Sequence, residues 1–180
     1  MFDSKFKSEL KEVLRVDGSS VVLMAWGNRV INEAIDIQDL QDLILDERKT
    51  AMHFSWMLGG ICITHPQNLK GSLIYFFEKR HEVKFANFDR SLAKFFLYSG
   101  IPLEIEGTVI DVLLNWLDMS GISVSTKCYA MQCLVKVVRK YPELKKELVL
   151  IIQNQLGKNS ASFDKLAKRL LDELGPVDYD

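Results

Sequence analysis

Apolar residues along this chain recur mostly at intervals of three and four rather than two, with only four prolines and ten glycines to interrupt them. That spacing predicts helices, because residues three and four apart share one helix face. Phe6, Leu10, Val13 and Leu14 form a first stripe, which Ser4 can cap and Asp17-Gly18 stops. A second helix opens at Ser19-Ser20 and passes through Val22, Ala25 and Trp26, with Asn28 and Asn32 as alternative boundaries. The run Val21 to Trp26 also suits a buried strand, but no partner strand exists elsewhere in the pattern. Ile37, Leu40, Leu43 and Ile44 make the next stripe, and Asp46 caps a helix from Glu47 to about Leu58 that Gly59-Gly60 ends.

Further on, a helix is predicted from about Asn68 through Leu73, Ile74 and Phe77 to His81, followed by one over Phe88 to Tyr98 that Ser99-Gly100 closes. Glu104 to Leu117 ends before Ser120-Gly121. Ser123 or Ser125 starts a helix reaching about Lys140, Tyr141-Pro142 turns the chain, and Glu143 to Leu156 returns. The last helix, about Ala161 to Leu174, stops at Gly175-Pro176, where proline excludes the helical conformation from the residue before it.

These helices repeat in pairs. Ala51, Ala93, Ala130 and Ala167 recur at about 40-residue intervals, and Arg48, Arg90 and Lys127 stand three positions before the first three of them. Leu97, Leu134 and Leu171 follow the last three alanines by four positions, whereas Ser55 holds that place after Ala51. Pro66, Pro102 and Pro142 mark turns seven or eight positions before Leu73, Ile110 and Leu150. Two helices per repeat at this period is the signature of a solenoid, in which each pair buries its apolar face against its neighbours.

The strings Asp46-Glu47-Arg48-Lys49-Thr50-Ala51, Arg90-Ser91-Leu92-Ala93 and Val124-Ser125-Thr126-Lys127-Cys128-Tyr129-Ala130 resemble the turn and second-helix pattern of HEAT repeats, in which a basic residue precedes a small one by three. The chain is similar to small bacterial HEAT-like, armadillo-like proteins over roughly residues 37–174, a likeness specific for architecture rather than activity. It implies an all-α fold, a right-handed α-α superhelix of about four antiparallel helix pairs. Residues 1–180 would form one domain, with 1–36 as N-terminal capping helices and 37–174 as repeats. The resemblance further implies that Arg48, Arg90 and Lys127 line the concave side in one row. The family's Asp six residues before the basic position is matched by Asp42, while Lys84 and Gly121 stand there in the later repeats.

Composition narrows the class. With 180 residues, 48% of them hydrophobic and 26% charged, the chain matches a soluble globular domain and excludes a disordered tail or a disulfide miniprotein. Cys62, Cys128 and Cys133 form no C-x-x-C pair, and an odd count cannot all pair within one chain, which points to a reducing compartment, the cytoplasm. Both charge signs occur between Met1 and Arg15, unlike a secretory leader. The uncharged run Ala51 to Leu69 contains His53, Ser55, Thr64, His65, Pro66, Gln67 and Asn68, each costly in hydrocarbon. It reads as a buried helix followed by a turn, not a membrane span.

Candidate chemistry is sparse. No G-x-S-x-G, Walker-type loop, G-x-G-x-x-G or H-E-x-x-H occurs, and Gly157-Lys158-Asn159-Ser160 has Ile152 where a phosphate loop needs glycine. Glu78 and His81 form a single E-x-x-H, which a di-iron bundle would need twice, so they are assigned to a solvated face. His53 and His65 read as core and turn histidines. Tyr75, Phe76, Phe77, Phe85, Phe88, Phe95, Phe96 and Tyr98 cluster at helical spacing and are assigned to packing between helix pairs. Cys128 and Cys133 face about 140° apart on one helix and serve as small apolar fillers. Lys136, Arg139, Lys140, Lys145 and Lys146 gather around Tyr141-Pro142, but Glu143 and Glu147 interleave with them, as in a solvated turn.

No catalytic, cofactor-binding or metal-ligating residue is assigned. The expectation is a non-enzymatic binding module for a protein or peptide, with Arg48, Arg90 and Lys127 as candidate binding residues suited to an acidic peptide. Their alternative role is to bond carbonyls or carboxylates in neighbouring turns. The competing function is a nucleic-acid-binding protein similar to helical-repeat DNA glycosylases, which a net charge of -1 disfavours. A continuous basic track with an exposed Trp and a carboxylate would favour repair; a mixed surface would favour a protein partner. The pattern leaves oligomeric state open.

Overall fold

Serine hydroxyls start three of the principal helices. Ser19, Ser123 and Ser160 hold extended backbone, and their Oγ atoms accept from the backbone N–H of Val22 at 3.5 Å, Thr126 at 3.2 Å and Phe163 at 3.3 Å. Each thereby satisfies a donor that the first helical turn leaves unpaired. At the other end, Gly100 and Gly175 close helices with φ of 87° and 68°, a region that a Cβ disfavours.

The computed structural model describes residues 4–177, and all the regular structure among them is helical. The α-helices are α1 (Ser4–Val16), α2 (Ser20–Asn32), α3 (Arg48–Thr64), α4 (Leu73–Glu78), α5 (Phe88–Ser99), α6 (Glu106–Asp118), α7 (Val124–Lys140), α8 (Lys145–Gln155) and α9 (Ala161–Leu174). No helix among the described residues is long and apolar enough to cross a membrane. The run Ala51 to Leu69 is a buried helix and a turn, as its polar residues require.

Three predicted elements take a different form. The stripe Ile37, Leu40, Leu43 and Ile44 is buried but belongs to two 3-10 turns, Ile37–Asp39 and Gln41–Leu45, rather than an α-helix. Residues 37, 40 and 43 repeat at three, which is the 3-10 period, and the Asp36 carboxylate fixes the entry by accepting from the Gln38 N–H at 2.9 Å. The stretch predicted from Asn68 to His81 is a 3-10 segment, Pro66–Ser72, leading into the six-residue α4. Gly59-Gly60 does not end α3; the helix continues for another turn to Thr64.

The described residues divide between Pro102 and Leu103 into two compact units. The first is built around α3, which packs against α1, α2 and α5 and buries Ala51, Phe54, Met57, Leu58, Ile61 and Cys62. A helix apolar on nearly every side has to be a central one. Phe6 of α1 meets Trp26 of α2 edge-on at 5.5 Å, and the Arg29 guanidinium lies over both rings at 4.9 Å and 4.3 Å. Lys7 pairs with Asp42, and Lys11 with Asp46 at 2.6 Å. His53 of α3 lies with Nδ1 2.6 Å from the Leu14 carbonyl, so a protonated Nδ1 satisfies an acceptor at the end of α1. Gly18 is required beside it, since a Cβ there would stand 2.2 Å from His53 Nε2. The aromatic cluster packs α4 on α5 through Phe76 and Phe95 at 5.9 Å and Phe77 and Phe96 at 6.0 Å.

In the second unit α7 is central, packing against α6, α8 and α9 and burying Ala130, Met131, Cys133 and Leu134. Ala51, Ala93, Ala130 and Ala167 are all fully buried. Around the Tyr141-Pro142 turn Arg139, Lys140 and Lys145 are engaged within the unit. Arg139 pairs with Glu173, Lys140 with Glu106 at 2.6 Å, and Lys145 donates to the Pro176 carbonyl at 2.7 Å. The Tyr141 hydroxyl donates to the same Glu106 carboxylate at 2.6 Å.

Two outcomes follow from this packing. Ala130→Leu should overpack the seam around α7 and destabilise the protein by about 1–3 kcal/mol in urea unfolding. The Lys140 and Tyr141 bonds hold the Glu106 carboxyl below its ordinary range. A carboxylate whose pKa is lower folded than unfolded stabilises fully above the unfolded value and loses that contribution as pH falls through the folded one. Glu106→Gln should therefore lower the melting temperature at neutral pH, and the gap to wild type should close as the pH falls through and below the ordinary carboxylate range.

Candidate functional site

Of the three basic residues singled out by the repeat, Lys127 belongs to the second unit and has a different environment. It is 4% exposed in the second unit, and its ammonium donates to Gln155 Oε1 at 2.6 Å. The Gln155 amide passes the connection on, donating to the Asp118 carbonyl at 3.0 Å, while Asn159 donates to the Gln155 carbonyl at 3.0 Å. Lys127 thus joins α7 to α8 and the end of α6. Burial holds its pKa below the ordinary lysine value.

Arg48 and Arg90 are exposed in the first unit and line one hollow of about 220 Å³ with Met52, Trp56, Asn87 and Ser91. Arg48 opens α3, and Arg90 lies in the first turn of α5 behind Asn87, a residue type that tolerates its left-handed φ of 68°. A second hollow, of about 240 Å³, adjoins it and is lined by Ser55, Trp56, Gly59, Arg90, Ser91 and Lys94. On the other side of Trp56 lies a larger cleft of about 570 Å³ between α2 and α3, walled chiefly by Leu23, Met24, Ile31, Met57 and Ile61.

Trp56 borders all three spaces and is 47% exposed. Gly59 lies on the side of the second hollow and Gly60 on the side of the cleft. A side chain at Gly59 would approach the Lys94 ammonium to 3.4 Å, whereas one at Gly60 would project into open space.

No aspartate or glutamate lines any of the three spaces. Arg48, Arg90 and Lys94 make no side-chain hydrogen bond or ion pair among the described residues. Burial pushes the Lys94 ammonium below its ordinary pKa, and the Arg90 charge adds to the effect. Ser55 is fully buried, and its hydroxyl has no hydrogen-bond partner among the described residues. The nearby Cys62 thiol, pushed up to about 11 by burial, is neutral at physiological pH. His65 at the end of the cleft places Nδ1 3.0 Å from the hydroxyl of its neighbour Thr64, as a turn histidine. Glu78 and His81 are exposed, and no group of three His, Cys, Asp or Glu side chains among the described residues could hold a metal.

The arrangement offers an apolar cleft beside donors and positive charge, joined at an exposed indole. Trp56 and Lys94 carry no signal of their own in the sequence, and Ser55 stands out there only as the departure from leucine after Ala51 and as a polar residue in an uncharged run. Two signals point to them in retrospect: a Gly-Gly pair inside an apolar run, and Arg90 and Lys94 four apart on one helix face with no acid to pair them. No protein-family model, no curated protein and no solved structure matches the chain.

The role of Lys127 is testable by comparing two truncations. Lys127→Ala should destabilise by about 1–3 kcal/mol, because Gln155 loses a donor and the aliphatic stem loses its packing. Lys127→Met keeps the stem and should cost less. Urea unfolding distinguishes the two, and equal losses would assign the whole effect to the hydrogen bond.

Proposed function

We propose that this chain is a non-enzymatic binding module whose first unit holds an acidic protein segment carrying a bulky apolar side chain. The observation that carries this reading is the position of Trp56, between an apolar cleft and a basic pair of hollows with no carboxylate in their walls. The cleft suits the apolar side chain, whose burial contributes about 1.5–3 kcal/mol. Arg48, Arg90 and Lys94 supply charge complementarity to neighbouring acidic groups, and Trp56 is the kind of aromatic anchor on which binding energy concentrates. HEAT-like pairing of the helices, in a right-handed superhelix, belongs to the same proposal; the periodic burial of Ala51, Ala93, Ala130 and Ala167 supports it. A cytoplasmic location is supported by three free cysteines, two of them buried.

An exposed tryptophan beside three cations is also the feature that favours a nucleic-acid reading. That reading is the weaker one. The repair chemistry anticipated from the resemblance needs a carboxylate in the groove, none lines these hollows, and the chain as a whole carries a charge of -1.

A random-peptide library panned against the full chain tests the proposal. Enriched peptides should combine Asp or Glu with a large apolar residue. Arg48→Gln with Arg90→Gln, and separately Met24→Asp in the cleft wall, should each weaken binding roughly tenfold or more. Enrichment without acidic residues, or binding indifferent to both variants, overturns it. Tight binding of single-stranded or duplex oligonucleotides with a steep salt dependence would favour the nucleic-acid reading instead.

A further inference from the structure

The smaller hollow next to Trp56 has a composition that a general acidic-peptide surface does not require. Its walls bring together two cations, Arg90 and Lys94, and two hydroxyls, Ser55 and Ser91, with Gly59 leaving the space beside the ammonium open. Arg90 and Lys94 lie four residues apart on α5, where like charges repel, and no acidic side chain among the described residues pairs with either. Ser55 lies fully buried in the wall with an unpartnered hydroxyl, an arrangement that leaves a buried donor unused.

We propose that the hollow formed by Ser55, Trp56, Gly59, Arg90, Ser91 and Lys94 receives a phosphate monoester, such as a phosphorylated side chain on the segment that occupies the apolar cleft. This deepens the binding-module reading and rests on it for the identity of the carrier. Two positive charges match a group that is close to dianionic at neutral pH, whereas one carboxylate would neutralise only one of them. The chemistry of the donors points the same way. A forked guanidinium, an ammonium and two hydroxyls can donate about five hydrogen bonds against about four lone-pair sites on a carboxylate, while the three terminal oxygens of a phosphate monoester accept them all. The indole of Trp56 walls the hollow and separates it from the cleft, so a phosphorylated residue with an apolar neighbour would place its two groups on either side of one ring. Partial burial of Lys94 strengthens its attraction for an anion, since the charge is less well hydrated than on an open surface.

The test titrates phenyl phosphate and benzoate into the isotope-labelled full chain and follows backbone amides by NMR. Phenyl phosphate should bind roughly tenfold or more tightly than benzoate and shift the amides around Ser55 to Gly59 and Arg90 to Lys94. Lys94→Gln should weaken it roughly tenfold, Lys94→Arg should restore much of the loss, and Ser55→Ala should weaken it about threefold with the spectrum otherwise preserved. Equal binding of the two probes, shifts confined to other surfaces, or a folded Ser55→Ala protein with unchanged affinity overturns the proposal. A second arm separates the possible carriers. A phosphoserine peptide with an adjacent leucine should bind more tightly than phenyl phosphate and lose that advantage in Met24→Asp. No advantage would overturn the peptide carrier and assign the hollow to a phosphorylated small molecule. Acidic peptides that depend on Arg48 and Arg90, together with no preference for phosphate, would refute the phosphate site and leave the binding-module reading intact; phosphate selectivity without acidic-peptide binding would do the reverse.

Discussion

The first unit depends on α3 remaining helical through Gly59 and Gly60. Each glycine costs about 1 kcal/mol relative to alanine in a helix interior. Against that stand Leu58, Ile61 and Cys62, all nearly or fully inaccessible on the same two turns, with about 1.5–3 kcal/mol from each large side chain buried. Burial wins, so the helix does not stop where local propensity would stop it. The consequence reaches the surface. Because the two glycines sit within a packed helix, the absence of their side chains opens space on two sides of it, one beside Lys94 and the other in the cleft against α2.

How far the sequence could be read depended on whether the deciding interaction was local. Ser19, Ser123 and Ser160 make their capping bonds within three residues, so these starts were legible, and Gly100 and Gly175 mark stops for an equally local reason. The continuation of α3 through its glycines is not legible locally, because their fate is set by packing against α1, α2 and α5, which lie far away in sequence. Ile37, Leu40, Leu43 and Ile44 do share one buried stripe. Its 3-10 form is not legible from spacing, because intervals of three and four are compatible with both helix types and the Asp36 carboxylate tips the balance.

The basic positions show a related limit. Arg48, Arg90 and Lys127 occupy the same register in the repeat, and register fixes where a side chain leaves the backbone. It does not fix what waits there. Gln155 supplies Lys127 with an acceptor inside the second unit, and that lysine becomes a packing element. Arg48 and Arg90 find no such acceptor among the described residues and stay at the surface around Trp56. Serine and lysine are common enough that neither Ser55 nor Lys94 carries a signal alone; their meaning comes from being brought together across α3 and α5.

Net charge hides this local difference. The value of -1 is a count of 23 basic against 24 acidic residues, and many of the cations, including Lys7, Lys11, Arg29, Lys79, Arg139 and Lys140, have a carboxylate beside them. The two hollows beside Trp56 gather three cations and no carboxylate in their walls, although the whole molecule is almost neutral. The groups gathered there are also better suited to holding an anion than to transforming one. Arginine and lysine donate without accepting, and the burial that raises the Cys62 thiol to about 11 keeps it protonated. Nor does an arranged base lie among the residues of the two basic hollows to activate Ser55 or Ser91. A hydroxyl without a base is a poor nucleophile but remains a good hydrogen-bond donor, and donation is the property that the proposed recognition of an anion would use.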